Sequence, residues 1–374
     1  MLKKKVALVA TAAVAALLVG TTGPAAHAAL KPDYKAVVGD ECLREGKKAA
    51  GRGVNGTDLT CTTVKTGSFA GTMRWWYPEV KPFGSLEWVS SSNIGGGYGT
   101  TAIAIGDAMK KEGLLKDYTV TYRSNAPLGL GYFYDQKDRK DLLLITGFAM
   151  PGGLATNGSK LSITTAKAVA GVMREAEAFV VPTSSKYKTI NDLLADIKAN
   201  PKSIAIGGGN YGGVDHVTVA TLAATVGVKA TDLNYIPYSG GGSLVPDVIG
   251  GRVAVGISGT SEFASYVAAG KMRTLAITSP KPLKVIKGKT LVQQGVDLTF
   301  GNWRGILAPS DLSAADLLNT QKIMDILHSS PSWKDTLVAK SWIDEFRVGD
   351  SFQTWIKKEN ADIISVLTDF KLVK

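Results

Sequence analysis

From Leu86 onward the chain alternates short β-rich runs with helical stretches, and this alternation narrows the fold more than any other feature. The runs Leu86–Ser91, Tyr118–Arg123, Asp141–Gly147, Glu177–Val181, Ser203–Ile206, Leu233–Pro237, Val253–Ile257, Thr274–Thr278 and Arg304–Ala308 read as strands. Helices are predicted between them at Thr101–Glu112, Ile190–Ala199, Val214–Val226, Gly242–Ile249 and Ser261–Ala269. Such a pattern builds open sheets with helices on their faces, an α/β protein. Thr189 with Asp192, and Ser313 with Asp316, have capping-box spacing. The tail from Ser313 to Lys374 reads as largely helical, with breaks at Pro331 and Gly349.

A chain of 374 residues suits two globular domains at roughly 100–200 residues each. Three His and two Cys cannot readily build the common His/Cys metal centres, so neither metal nor cofactor is expected. Residues 1–28 read as a signal peptide: Lys3, Lys4 and Lys5 precede an apolar run, and Ala26-His27-Ala28 offers a cleavage site before Ala29. The run is too short to span a bilayer, and no lipidation motif precedes Cys42. An extracytoplasmic protein without a lipid anchor is therefore expected. The net charge is +11, three of it in those leader lysines. The remaining basic residues are scattered without aromatic interleaving, which argues against nucleic acid and leaves an anionic small partner or a solvated basic surface.

Residues 29–85 form an N-terminal extension with little periodicity. In an exported chain Cys42 and Cys61 are expected to form a structural disulfide. Trp75 and Trp76 read either as ordinary packing or as a partner-facing patch.

Three Gly-rich loops each follow a predicted strand and precede a helix. They are Ser90–Thr100, Gly207–His216 and Tyr238–Ser243. Glycines let backbone N–H groups approach a ligand, and the next helix aims its positive end at the same point. In open α/β sheets, ligands sit at this end of the strands. Three such loops suit an anion with several oxygens; the plainer alternative is tight strand-to-helix turns. Enzyme motifs fit poorly. Gly207, Gly209 and Gly212 with Asp232 match a dinucleotide fingerprint only in isolation. Gly288-Lys289-Thr290 lacks the first Gly of a P-loop, because Leu283 stands there. Gly256-Ile257-Ser258-Gly259 has the wrong spacing for a nucleophile elbow. Asp215 and His216 are adjacent on a helix and point about 100° apart, so they cannot act as a relay to each other. His216 either borders the pocket or is a satisfied structural histidine. No catalytic residue is expected.

The stretch from Leu86 to Leu307 resembles the solute receptors of tripartite tricarboxylate transporters, the TctC-like or Bug family. The resemblance is carried by Gly95–Thr100, by Ala178–Pro182 with Tyr187–Leu193, and by Gly208–His216. Asn234–Gly242, Gly250–Gly256, Gly270–Thr278 and Trp303–Pro309 follow in family order. It implies a type II periplasmic-binding-protein-like fold of two domains closing on a cleft: 86–184 plus 280–374, and 185–279. Family members hold carboxylates, often di- or tricarboxylates such as citrate, through backbone amides, hydroxyls and waters. Carried over by position, the first loop supplies Asn93, Gly95, Gly96, Gly97 and the adjoining Tyr98. The second supplies Gly209, Asn210, Tyr211, Gly212 and Gly213, with His216 beside them. The third supplies Tyr238, Ser239, Gly240 and Gly241, and Ser258 and Thr260 fit a fourth wall.

The sequence departs from the family at Tyr122–Gly129, at Ser91–Ile94 and in the disulfide-bearing extension. The resemblance implies a monomeric receptor that delivers an organic carboxylate to membrane transporter subunits. The alternatives are the same scaffold used as an exported sensor or protein-interaction module, and, less in keeping with the motifs, a secreted enzyme.

Overall fold

The structure, a computed structural model, describes residues 36–373. The expected signal peptide lies outside the described residues. Three short antiparallel strands come first: β1 (Lys48–Ala49), β2 (Leu59–Thr63) and β3 (Met73–Trp76). The Cys42–Cys61 disulfide is formed, and Cys61 lies opposite Trp75 across the β2–β3 ladder. The extension thus holds a small sheet that periodicity did not reveal, since its strands are too short to show an alternation. Trp75 is 5% exposed and packs into the main core, and Trp76 meets Phe69 edge-on. Trp75 is therefore a packing residue and not a partner-facing one.

The first large sheet begins with β4 (Phe83–Ser90), β5 (Leu115–Tyr122) and β6 (Leu142–Gly147), which run parallel. Helices α1 (Gly97–Lys111), α2 (Ala126–Tyr134) and α3 (Ala149–Thr156) follow these strands in turn. After β7 (Lys167–Glu175), the single residue Ala176 carries the chain to a second sheet. There β8 (Glu177–Pro182), β9 (Ala205–Gly208), β10 (Asn234–Pro237), β11 (Val255–Gly259) and β12 (Met272–Ile277) alternate with α4 (Ile190–Ala199), α5 (Val214–Ala224), α6 (Gly241–Ile249) and α7 (Thr260–Ala268). The return strand β13 (Asn302–Ala308) runs antiparallel between β6 and β7. Helices α8 (Ala314–Ser329) and α9 (Pro331–Lys340), strand β14 (Arg347–Val348) and helix α10 (Asp350–Asp369) complete the chain.

The sheet orders are β14-β7-β13-β6-β4-β5 and β10-β9-β11-β8-β12. Each holds one interior antiparallel strand, β13 or β8, that belongs to a crossover, and the edge strand β14 also runs antiparallel to β7. Strands β13 and β8 are buried at every position, as strands covered on both faces must be. The boundary expected at 184/185 places Glu177–Pro182 in the first domain. Its ladders to β11 and β12 instead put it in the five-stranded sheet.

Thr278 joins the two crossovers. Its hydroxyl accepts the Glu177 N–H at 2.8 Å and donates to the Phe300 carbonyl at 2.8 Å. Hydrophobic cores fill both sheets. Val214 and Val217 of α5 belong to the core of the first sheet although their helix flanks the second, so the two lobes are drawn together.

Candidate ligand cleft

The three Gly-rich loops lead into α1, α5 and α6. Each of these helices begins on a glycine (Gly96, Gly213 or Gly240) with no side-chain cap. Four other helices carry side-chain caps: Asn125 on α2, the expected Thr189–Asp192 capping box on α4, and Ser313 and Ser330 on α8 and α9. Helices α3, α7 and α10 also start without a cap from their own N-cap residue. Uncapped first turns leave N–H donors for other anions, and the chain supplies several of these anions itself.

In the second loop, the Asp215 carboxylate accepts the Gly209 N–H at 2.7 Å, and His216 Nδ1 accepts the Gly212 N–H at 3.1 Å. His216 is 2% exposed and stacks on Tyr235, with ring centroids 4.2 Å apart. Burial holds its pKa down to about 4. It is thus a neutral imidazole that organises the loop. Tyr211 is half exposed and donates to the Tyr235 carbonyl, and Asn210 is exposed.

In the third loop, a Cβ on Gly241 would lie 2.6 Å from the Glu262 carboxylate, so that side chain occupies the mouth of α6. Ser258 Oγ donates to Glu262 at 3.2 Å. Tyr238 is turned to α6, its hydroxyl donating to Asp247 at 2.6 Å, and Ser239 pairs with Ser243. Thr260 is fully buried and its hydroxyl has no partner among the described residues.

The first loop differs. Asn93 and Gly95 are exposed, and the nearest charge is cationic. A Cβ on Gly97 would lie 2.6 Å from Arg304 Nη2. The guanidinium is 4.7 Å from the Tyr98 ring centroid and donates to Asn302. Arg304 is only 7% exposed.

Residues that the sequence reading did not single out complete the picture. Glu175, at the end of β7, accepts from the backbone N–H of Ser261 at 3.1 Å and from its hydroxyl at 2.5 Å, which caps α7 across the crossover. Glu177 is fully buried, and neither of its oxygens meets an amide, a hydroxyl or a cation among the described residues. Its nearest charged neighbour is the Asp215 carboxyl. Burial, then the charges of Asp215 and Glu175, drive the Glu177 pKa well up. Burial lifts Asp215 to about 7, against the pull of the Gly209 N–H, and burial also raises Glu175. Lone charges inside apolar strands, Glu175 and Glu177 around Ala176 and Arg304 in Trp303–Ala308, were the signal for these residues.

The lobes meet where a Cβ on Gly152 of α3 would fall 2.0 Å from the Gly212 carbonyl oxygen. A separate cavity of about 350 Å³ is lined by His328, Asp344, Glu345, Phe346 and Arg347. Its histidine is already paired with Asp344 at 3.0 Å and stacked on Phe346, so the loops, not this cavity, form the candidate site. Among the described residues, no helix is long and apolar enough to cross a membrane.

Residues 158–353, more than half of the chain, match the model of the "Tripartite tricarboxylate transporter family receptor". A Cupriavidus necator relative, the "UPF0065 protein in gbd 5'region", is 28% identical over 162 residues, covering 42% of this chain and 47% of that protein. The chain thus spans about half the length of this curated relative, and about a third of others. Among solved structures, periplasmic binding protein BugD is similar at a TM-score of 0.68 and 17% identity, over 79% of this chain and 100% of that one. MatC from Rhodopseudomonas palustris, solved with bound malate, has a TM-score of 0.64 at 15% identity, over 78% of this chain and 99% of that one. The fold is the two-domain periplasmic-binding-protein type, and the chain belongs to the tripartite tricarboxylate transporter receptor family, whose members are extracytoplasmic solute receptors rather than enzymes.

Proposed function

We propose that this chain captures an organic carboxylate between its lobes and presents it to the membrane subunits of a tripartite transporter. Arg304 carries the reading: a buried guanidinium lies against the uncapped N-terminus of α1. Both groups are electropositive, and an anion between them would relieve their mutual repulsion. The malate seen in MatC supports the same ligand class. The proposed contacts are Gly96, Gly97 and Arg304 from one lobe and the loops at Gly209–Gly213 and Gly240–Gly241 from the other. The proposed lobes are 83–175 with 302–373, and 177–277. Closure around the ligand would create the surface that the transporter recognises.

A tryptophan-fluorescence titration with malate, succinate, glutamate, citrate and uncharged controls tests the proposal, since Trp303 adjoins Arg304 in sequence. Saturable binding of an acid that is recovered unchanged is the expected result. No change in emission or melting temperature with any acid would refute a carboxylate receptor and favour the protein-interaction alternative.

A further inference from the structure

The two walls of the cleft carry opposite charge. On the first lobe, Arg304 lies under α1, whose first turn has no acidic residue. On the second, the buried acids Glu177 and Asp215 lie close enough to repel each other, with Glu262 of the same lobe and Glu175 at the end of β7 adding to the negative charge. Arg304 attracts Glu175 and so offsets one acid at most. Glu177 remains fully buried without a hydrogen-bonding or cationic partner among the described residues. A buried carboxyl in this position must hold a proton or meet a cation. A metal ion does not fit, because no three His, Cys, Asp or Glu side chains among the described residues converge to hold one. A plain dicarboxylate would bring a second negative charge up to this wall, and like charges at close range oppose binding. A protonated amine would displace the proton that Glu177 must otherwise hold and gain charge-assisted hydrogen bonds.

Resting on the receptor reading above, we infer that the ligand is an amino-carboxylate, with its carboxylate toward Arg304 and α1 and its ammonium toward Glu177 and Asp215. The groups whose charges bear most on Glu177 are Asp215, Glu175 and Glu262, and the Tyr235 phenol, stacked on the neutral His216, feels Glu177 in turn. None of these four is a cation.

The test is calorimetric titration of the mature protein near pH 7 with two matched pairs, L-glutamate against glutarate and L-aspartate against succinate, in buffers of different ionisation heat. In at least one pair the amino member is expected to bind about tenfold or more tightly and to release a proton to the buffer. Glu177→Gln should erase the preference while the plain acid still binds. If that variant does not fold, proton release by the wild type decides the matter. Equal or tighter binding of the plain acid, or binding of the amino acid without proton release, overturns the inference and leaves the receptor reading intact. Failure of both pairs together with malate and citrate overturns both.

Discussion

The carbonyl oxygen of Gly212 sits where the first side-chain atom of residue 152 would be, 2.0 Å from a Cβ built on Gly152. The second loop and α3 touch backbone to backbone at this point, and only glycine permits the approach. Gly152→Val should hold the lobes apart. X-ray scattering is expected to give a larger radius of gyration than wild type with unchanged far-UV circular dichroism, and affinity for the bound acid should fall by about tenfold or more. Identical scattering curves would mean that the contact does not limit closure.

Thr278 should matter for stability out of proportion to its size. It satisfies the buried Glu177 N–H and the Phe300 carbonyl together. Thr278→Val keeps the shape but strands both groups, at a cost of about 1–3 kcal/mol. Urea unfolding checks the value, and Thr278→Ser should recover most of it. An unchanged midpoint for the valine variant would show that the crossovers are held by other means.

Arg304→Lys should not be conservative. The planar guanidinium lies over Tyr98 and reaches Asn302, and an ammonium cannot reproduce both contacts. Loss of one charge-assisted hydrogen bond to a carboxylate should weaken binding by about tenfold or more, with little change in melting temperature. Full affinity in the lysine variant would move the carboxylate to another part of the cleft.

Local signals were the legible ones. The Thr189–Asp192 capping box marks α4 at the residues where it starts, and the apolar run at 142–147 marks β6. Strand β7 was not anticipated: Gly171 interrupts it, and its pairing with β13 slips register twice. The three loops were visible as glycine clusters, but their occupants were not. Glu262 reaches Gly241 and Glu175 reaches Ser261 only after the chain has folded back. Spacing along the sequence cannot disclose a carboxylate that arrives from 86 positions away.

The Cys42–Cys61 bond closes a loop of 19 positions. The chain-entropy account gives it about 3 kcal/mol. Unfolding in urea with and without reductant measures the difference. Because the bond lies in the small sheet and the cleft is built elsewhere, ligand affinity of the reduced protein below its transition should be unaltered. A loss of affinity on reduction would tie the extension to the cleft.

Stability should depend on pH through Asp215 with a definite sign. The native carboxyl titrates at about 7 against 3.8 ordinarily, so between these values the folded state holds a proton that the unfolded chain gives up. The associated stability is complete below about 4 and is lost as pH rises through about 7. Glu175 and Glu177, also raised by burial, act in the same direction. His216 opposes them only at lower pH: lowered by burial to about 4 from 6.5, its contribution is complete above 6.5 and lost as pH falls toward 4. From pH 6.5 to 8 the acids therefore act alone, and the melting temperature of the ligand-free protein should decline. Asp215→Asn keeps an oxygen for the Gly209 N–H but cannot ionise, so its decline over that interval should be shallower. Melting curves at fixed ionic strength make the comparison, and parallel slopes for the two proteins would show that Asp215 is not the group losing its proton.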